Sequence, residues 1–284
     1  MRIDMAANPA TFQQYTALPA FQGDDHSITE SFHEYSKLNR ENAFDLARRV
    51  GTILSDPNIK ALMARSWKTY SGSERIALPP ARLGSVTLED SLRNRVSISS
   101  TSAGAFSGGE IQLEQLASVL GLSYGPTRTR FVPGTNQEQH FRATASAGGL
   151  YPLEIYPIVC GVNGLEQGIY HYSVVDHALE VVRKGPCMAE FLKTTPYAAM
   201  CSTAAVVLVV SAVFQRNLSK YLNRGYRFIM NDAGALLQSF YLTGVASGLG
   251  TCALGGFYDD ELGTMIGLNN VDEAPVICFL LGRN

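Results

Sequence analysis

The residues best equipped for chemistry lie in one basic stretch, Phe214 to Phe228, where Lys220 and Tyr221 are adjacent. An ammonium beside a phenol lowers the pKa of the phenol, so the pair suits proton transfer. Arg216, Lys220, Arg224 and Arg227 bring four cations to this stretch with no acid among them, which also suits an anionic cofactor or a carboxylate. The plainer alternative is a basic loop at a subunit rim, with Lys220 and Tyr221 as bystanders. A second candidate is Arg95-Val96-Ser97. Two residues apart in extended backbone, a guanidinium and a hydroxyl point the same way and can grip one phosphate; a solvated basic turn has the same sequence. The third is Ser146-Ala147-Gly148-Gly149, inside the run Ala145 to Pro152. Small residues followed by paired glycines let backbone N–H groups approach a flat ligand, or else form a tight turn into the next strand.

A further glycine-rich run, Gly248 to Gly256, follows a helix instead of opening one after a strand. Neither glycine run has the spacing of a dinucleotide-binding fingerprint. The five histidines show no HxxxH or HExxH spacing and the five cysteines no CxxC pair, so no metal site is expected. The cysteines stand among apolar neighbours and read as buried free thiols of a cytosolic protein.

These candidates must be positioned by a mixture of helices and strands. Asn42 to Ile53 has a 3.6-residue apolar stripe, and Gln112 to Leu120 reads as an amphipathic helix closed by Gly121. Glu154 to Cys160 reads as a strand. Ile169–Tyr172 and Ala178–Val182 read as a hairpin turning through Val174 to His177. Ala204 to Ala212 is a continuous apolar run, the pattern of a strand covered on both faces. Tyr226 to Ser247 reads as a long helix, apolar nearly all round and ended by Gly248, and Val276 to Leu281 as a last buried strand. A helix of that kind has to be enclosed by its own fold or by a second subunit, and a dimer is the expected solution. Strands interleaved with long helices around a hairpin indicate an α+β fold. Residues 1–82 are expected to be a mostly helical N-terminal extension and residues 83–284 the catalytic domain.

Composition limits the function classes. Of the 284 residues, 46% are hydrophobic and 17% charged, and the net charge is −2. That leaves material for a substantial core and offers no basic surface for nucleic acid. The first 20 residues lack the apolar core of a signal peptide, and no apolar run approaches the ~20 residues that span a bilayer. A cytoplasmic protein without membrane partner is the expectation.

Taken together, His33–Lys37, Arg95-Val-Ser97, Ser146–Tyr156, Lys220-Tyr221 with Arg224–Phe228, Gly255-Gly256-Phe257 and Leu281-Gly282-Arg283 make the chain resemble the nitroreductase-like flavoproteins. Within these it is similar to the SagB/McbC-type dehydrogenases, which oxidise azolines to azoles in peptide natural-product pathways. The resemblance implies an FMN-binding fold with a mixed, mainly antiparallel sheet flanked by helices, in an intertwined homodimer. It implies that Arg95 and Ser97 hold the FMN phosphate, with Arg283 as a second ligand. The backbone of Ser146, Ala147, Gly148 and Gly149 would line the isoalloxazine, and Gly255 and Gly256 would approach it from the partner subunit. Lys220 and Tyr221 match the catalytic pair, one as base and the other as its modulator. The proline that usually precedes the serine of the turn is Ala145 here, and Ser99 stands where many relatives carry a further basic residue. The implied substrate is an azoline-containing peptide, on a leader peptide or a carrier, with a cyclodehydratase as possible partner. The alternatives are an NAD(P)H-dependent reductase of small molecules and a flavin-holding subunit that does not turn over.

Overall fold

The computed structural model describes residues 26–99 and 104–284. The chain divides after Asn39 into two compact units. In the first, His26–Tyr35 forms helix α1, closed where the Ser36 hydroxyl donates to the Phe32 carbonyl.

The second unit opens with helices α2 (Ala43–Ser55) and α3 (Pro57–Ala64). Asp56 separates them, because its carboxylate accepts from the N–H groups of Asn58 and Ile59 and Pro57 takes the first helical position. Strand β1 (Arg75–Ala77) and helix α4 (Leu88–Asn94) follow, the latter started by a Thr87–Asp90 capping box. Next come β2 (Ile111–Gln112), α5 (Leu113–Tyr124), the ribbon strands β3 (Pro126–Phe131) and β4 (Glu138–Arg142), and β5 (Leu153–Val159). Then follow β6 (Val162–Asn163), the hairpin β7 (Gly168–Ser173) and β8 (Ala178–Lys184), short helices α6 (Met188–Phe191) and α7 (Ala198–Cys201), and β9 (Val206–Val213). The chain finishes with α8 (Gln215–Tyr221), α9 (Arg224–Ala246), β10 (Gly250–Leu254), α10 (Asp259–Met265) and β11 (Glu273–Gly282).

Seven strands form one sheet in the order β1-β8-β7-β5-β9-β11-β10, and every neighbouring pair is antiparallel. Among the described residues, parallel pairing is confined to the separate two-residue pair β2–β6. Strand β9 has helices on both sides, as its uninterrupted apolar sequence requires. Leu208, Val210 and Ala212 pack with α5 and α9 around Leu116, Leu236 and Phe240. Val207 and Val209 pack on the opposite face with Tyr156, Phe191 and Cys278. The five cysteines are free thiols, four of them buried, and burial pushes Cys201 up to about 12.

Two local expectations are corrected. The helix expected to end at Gly121 runs on to Tyr124. A Cβ at Gly121 would stand 2.6 Å from that of Ala81 and 2.8 Å from the His177 ring, so this glycine admits a close approach instead of ending the helix. The end comes at Gly125, whose N–H bonds to the Gly121 carbonyl. Helix α9 is two-sided, not apolar all round: Asn231, Gly234 and Gln238 are exposed along one stripe, while Ile229, Leu236 and Phe240 are buried.

The register fixes where the candidate residues emerge. Leu153, the first residue of β5, pairs with Ala212 near the end of β9, and Leu254 ends β10 on the same side of the sheet. The turn before β5, the helix after β9 and the glycines after β10 therefore leave the sheet at one end. Arg283 follows Gly282, which pairs with Gly250 at the other end.

Candidate functional site

The turn Ala147–Gly149 and the Lys220-Tyr221 end of α8 meet. Gly148 and Gly149 both have left-handed backbone, with φ of 67° and 66°. A side chain at Gly148 would fall on the Tyr221 hydroxyl and stand 3.0 Å from Lys220 Nζ. Glycine is thus required there by conformation and by space together. Behind the turn, Asp232 of α9 accepts from the Ser146 hydroxyl at 2.5 Å and from the Ala147 N–H at 3.3 Å. The Ser146 oxygen in turn accepts the Tyr151 N–H at 2.9 Å. On the other side, Gln139 of the β3–β4 ribbon donates to the Gly149 carbonyl at 3.1 Å.

The electrostatics of the pair differ from what adjacency in sequence suggests. Lys220 is buried and Tyr221 half-buried, and the ammonium lies over the phenol ring at 5.2 Å from its centroid. Burial lowers the pKa of Lys220. The Tyr221 phenol is raised instead of lowered, first by burial and then by the nearby Asp232 carboxylate. Burial also raises Asp232, against the two hydrogen bonds it accepts. Burial thus shifts the two members of the pair in opposite directions, each toward its neutral form.

A chain of charges, buried at its centre, anchors the helix that bears the pair. Arg216, one turn before Lys220, donates to the Tyr151 carbonyl at 3.0 Å and pairs with Glu154 at 2.6 Å. His171 stands between Glu154, 3.0 Å from Nε2, and Glu180, 2.9 Å from Nδ1, and Arg75 closes the series on Glu180 at 2.8 Å. Burial by itself would raise Glu154, but Arg216 and His171 outweigh it and hold the carboxyl at about 2.

The other expected residues lie elsewhere in the chain. Ser97 shares a 2.7 Å hydrogen bond with the Tyr241 hydroxyl, and Arg95 lies over the Tyr241 ring at 5.2 Å. Tyr241 is nine residues beyond Asp232, a half turn round α9 and about 14 Å along it. The Arg95–Ser97 pair and the Ser146–Gly149 turn therefore touch opposite sides of that helix. Gly255 is exposed and Gly256 packs against Tyr197. Arg283 points to a hollow shared with Glu110, Gln115 and Asn284. Within one chain, these residues do not join the turn and the Lys–Tyr pair.

Sequence reasoning missed Asp232, Glu154 and His171. Asp232 has a visible signal, an acid in an otherwise apolar stretch of helix, and Glu154 is the same anomaly in a buried strand. His171 has no such mark, since its two partners lie on other strands.

The Gly148 geometry gives one direct expectation. Gly148→Ala should lower stability by about 1–2 kcal/mol through its left-handed backbone, with an added loss from the methyl group that meets Tyr221. Adding Tyr221→Phe removes the oxygen that is struck, so urea unfolding of the double variant should recover only the second part.

Residues 101–283 match the nitroreductase family. A nitroreductase-type protein of Methanocaldococcus jannaschii is 29% identical over 198 residues, 70% of this chain and 91% of that one. The microcin B17-processing protein McbC of Escherichia coli is 26% identical over 150 residues. That match takes in 50% of this chain and 54% of McbC, so the chain spans about half the length of this relative. A chain of the E. coli microcin synthetase McbBCD complex, solved with truncated pro-MccB17 bound, has the same fold, with a TM-score of 0.55 at 18% identity over 87% of this chain and 98% of that one. The chain belongs to the nitroreductase family, and McbC is among the proteins it is similar to.

Proposed function

We propose that the protein is an FMN-dependent azoline dehydrogenase that oxidises thiazolines or oxazolines of a peptide to thiazoles or oxazoles. The observation that carries this reading is the buried Lys220–Tyr221 pair set against the Gly148 turn. Reduction of a nitro group needs no base to take a proton from carbon, whereas azoline oxidation does. The similarity to McbC supports the same reading.

The residues fit an FMN. Arg95 makes no ion pair among the described residues, and the space beside Gly255 holds only the Ile277 side chain, 3.6 Å from where a Cβ would stand. Arg95 and Ser97 would hold the phosphate with Arg283 as a further ligand, and Ser146 to Gly149 would line the ring. Gly255 and Gly256 would reach it from the second subunit of a homodimer, as the separation of these sets within one chain favours. Bound FMN supplies an acceptor for hydride from the ring CH₂. The Cα–H of an azoline lies between a C=N and a peptide carbonyl and is acidic for that reason. Lys220, lowered by burial, takes this proton on Nζ. Tyr221 stays protonated and can donate a hydrogen bond to a substrate oxygen or nitrogen. Asp232 holds the turn through Ser146 and Ala147.

A cyclodehydratase is the fitting partner, since it makes azolines, and a cytoplasmic location agrees with the reading. Among the described residues no helix is long and apolar enough to cross a membrane. The test is a purified protein given a synthetic azoline peptide in air. The expected product is lighter by two hydrogens, with FMN released on denaturation. NAD(P)H consumption with a nitroaromatic and no change in the azoline peptide would favour the small-molecule reductase, a reading that the M. jannaschii relative supports.

A further inference from the structure

We propose that the cavity beside Lys220 is a carboxylate-selecting subsite, which receives an acidic side chain next to the reacting ring of the peptide. The proposal rests on the azoline-peptide reading above. The cavity lies between helices α2 and α3 and the β3–β4 ribbon, and Gly148 and Lys220 form part of its wall. It is therefore continuous with the candidate catalytic pair. The charged groups lining it are Lys60, Arg130 and Lys220, and no carboxylate contributes. None of the three makes an ion pair among the described residues.

The ribbon adds to the positive field. Arg130 pairs across it with Gln139, and Arg128 with Phe141, over whose ring its guanidinium lies at 4.6 Å. Cross-strand partners share a face, and the Gln139 and Phe141 side chains approach Gly149. Both arginines therefore belong to the face of the ribbon turned toward the Ser146–Gly149 turn. Lys60 and Arg130 beside one partly apolar hollow, whose other walls include Ile53, Met63 and Phe131, concentrate anions and discriminate against cations.

Size selects among anions. The cavity measures about 220 Å³. Sites that enclose a whole small molecule typically run from about 300 to 1,000 Å³, and this hollow lies below that range. One or two side chains of a peptide that continues into solvent match it well. A carboxylate on such a side chain can reach Lys60 or Arg130 while the ring lies at Lys220.

The test uses synthetic azoline peptides carrying Glu, Gln or Lys on either flank of the ring. With the unaltered protein, kcat/KM should rank Glu above Gln above Lys, with about tenfold between Glu and Lys, and the difference should lie in KM. In the Lys60→Glu, Arg130→Glu double variant the order should invert, read as the ratios of kcat/KM among the three peptides. The milder Arg130→Gln should flatten the ranking without inverting it. Fluorescence anisotropy with labelled azole product peptides should give the same order without turnover. Turnover that is indifferent to the flanking charge in all three proteins overturns the subsite and leaves the dehydrogenase reading intact. No turnover of any azoline peptide overturns that reading itself. Saturable NADPH binding that the double variant abolishes, with no flank preference, assigns the cavity to a dinucleotide and overturns the proposal as well.

Discussion

Lys220→Ala should lower azoline oxidation by about 10²–10⁴-fold while the purified protein stays yellow, because a positioned proton acceptor contributes that much and none of the residues assigned to FMN is touched. The magnitude follows from burial. Lys220 is 8% exposed, and desolvation lowers its pKa, which favours the neutral amine relative to an ordinary lysine. Lys220→Arg should lose nearly as much, since a guanidinium keeps the charge and does not deprotonate. The pH profile has a defined sign. A base works in its unprotonated form, so the rate should rise with pH and level off at a pKa below the 10.5 of an ordinary lysine. Tyr221→Phe should cost less, because burial and Asp232 raise the phenol and the proposed role of Tyr221 is to donate a hydrogen bond. Single-turnover bleaching of the flavin under anaerobic conditions reads the chemical step in each variant. Wild-type bleaching by Lys220→Ala would remove the lysine from the mechanism.

Glu154→Gln should have the largest effect on stability. The carboxylate is 1% exposed, with Arg216 at 2.6 Å and His171 at 3.0 Å. Removing one charge from a buried set leaves the others without compensation, and such changes cost about 3–5 kcal/mol. Urea unfolding at pH 7 measures it. The acid limb supplies a second readout. An unfolded glutamate titrates near 4.3 and the folded one at about 2. A depressed pKa contributes stability that is complete above the unfolded value and lost as pH falls through the folded one. The stability of the unaltered protein should therefore fall between about pH 4.3 and pH 2, and that of the variant should change less over the same range. Equal slopes in the two proteins would mean that Glu154 does not titrate as its neighbours dictate.

Local pattern makes several elements legible in the sequence. The run Ala204 to Ala212 could hardly be other than a strand covered on both faces, and β9 is that strand. The hairpin β7–β8 and the helices α2, α5 and α9 followed from periodicity, within a few residues at their ends. What local pattern cannot carry is the meeting of Gly148 with Lys220, residues 72 positions apart that adjoin because β5 and β9 are neighbours of matched register. The same limit explains the inverted tyrosine. In sequence, Lys220 is simply the residue beside Tyr221. In the fold both are withdrawn from water and Asp232 arrives from another helix. Gly121 shows the reverse case: a glycine after an amphipathic run reads as a stop, yet the space it leaves is for His177, contributed by a hairpin more than 50 residues away.

The series Arg75, Glu180, His171, Glu154 and Arg216 draws its members from four strands or their flanks and from α8. Every link spans a chain segment that must be closed first, and a half-built series is a set of dehydrated charges lacking their counterparts. Only when the whole series is complete does each of its buried charges have a counterpart. The helix bearing Lys220 is thus tied to the sheet through Glu154 and Tyr151 by contacts that exist only in the finished fold.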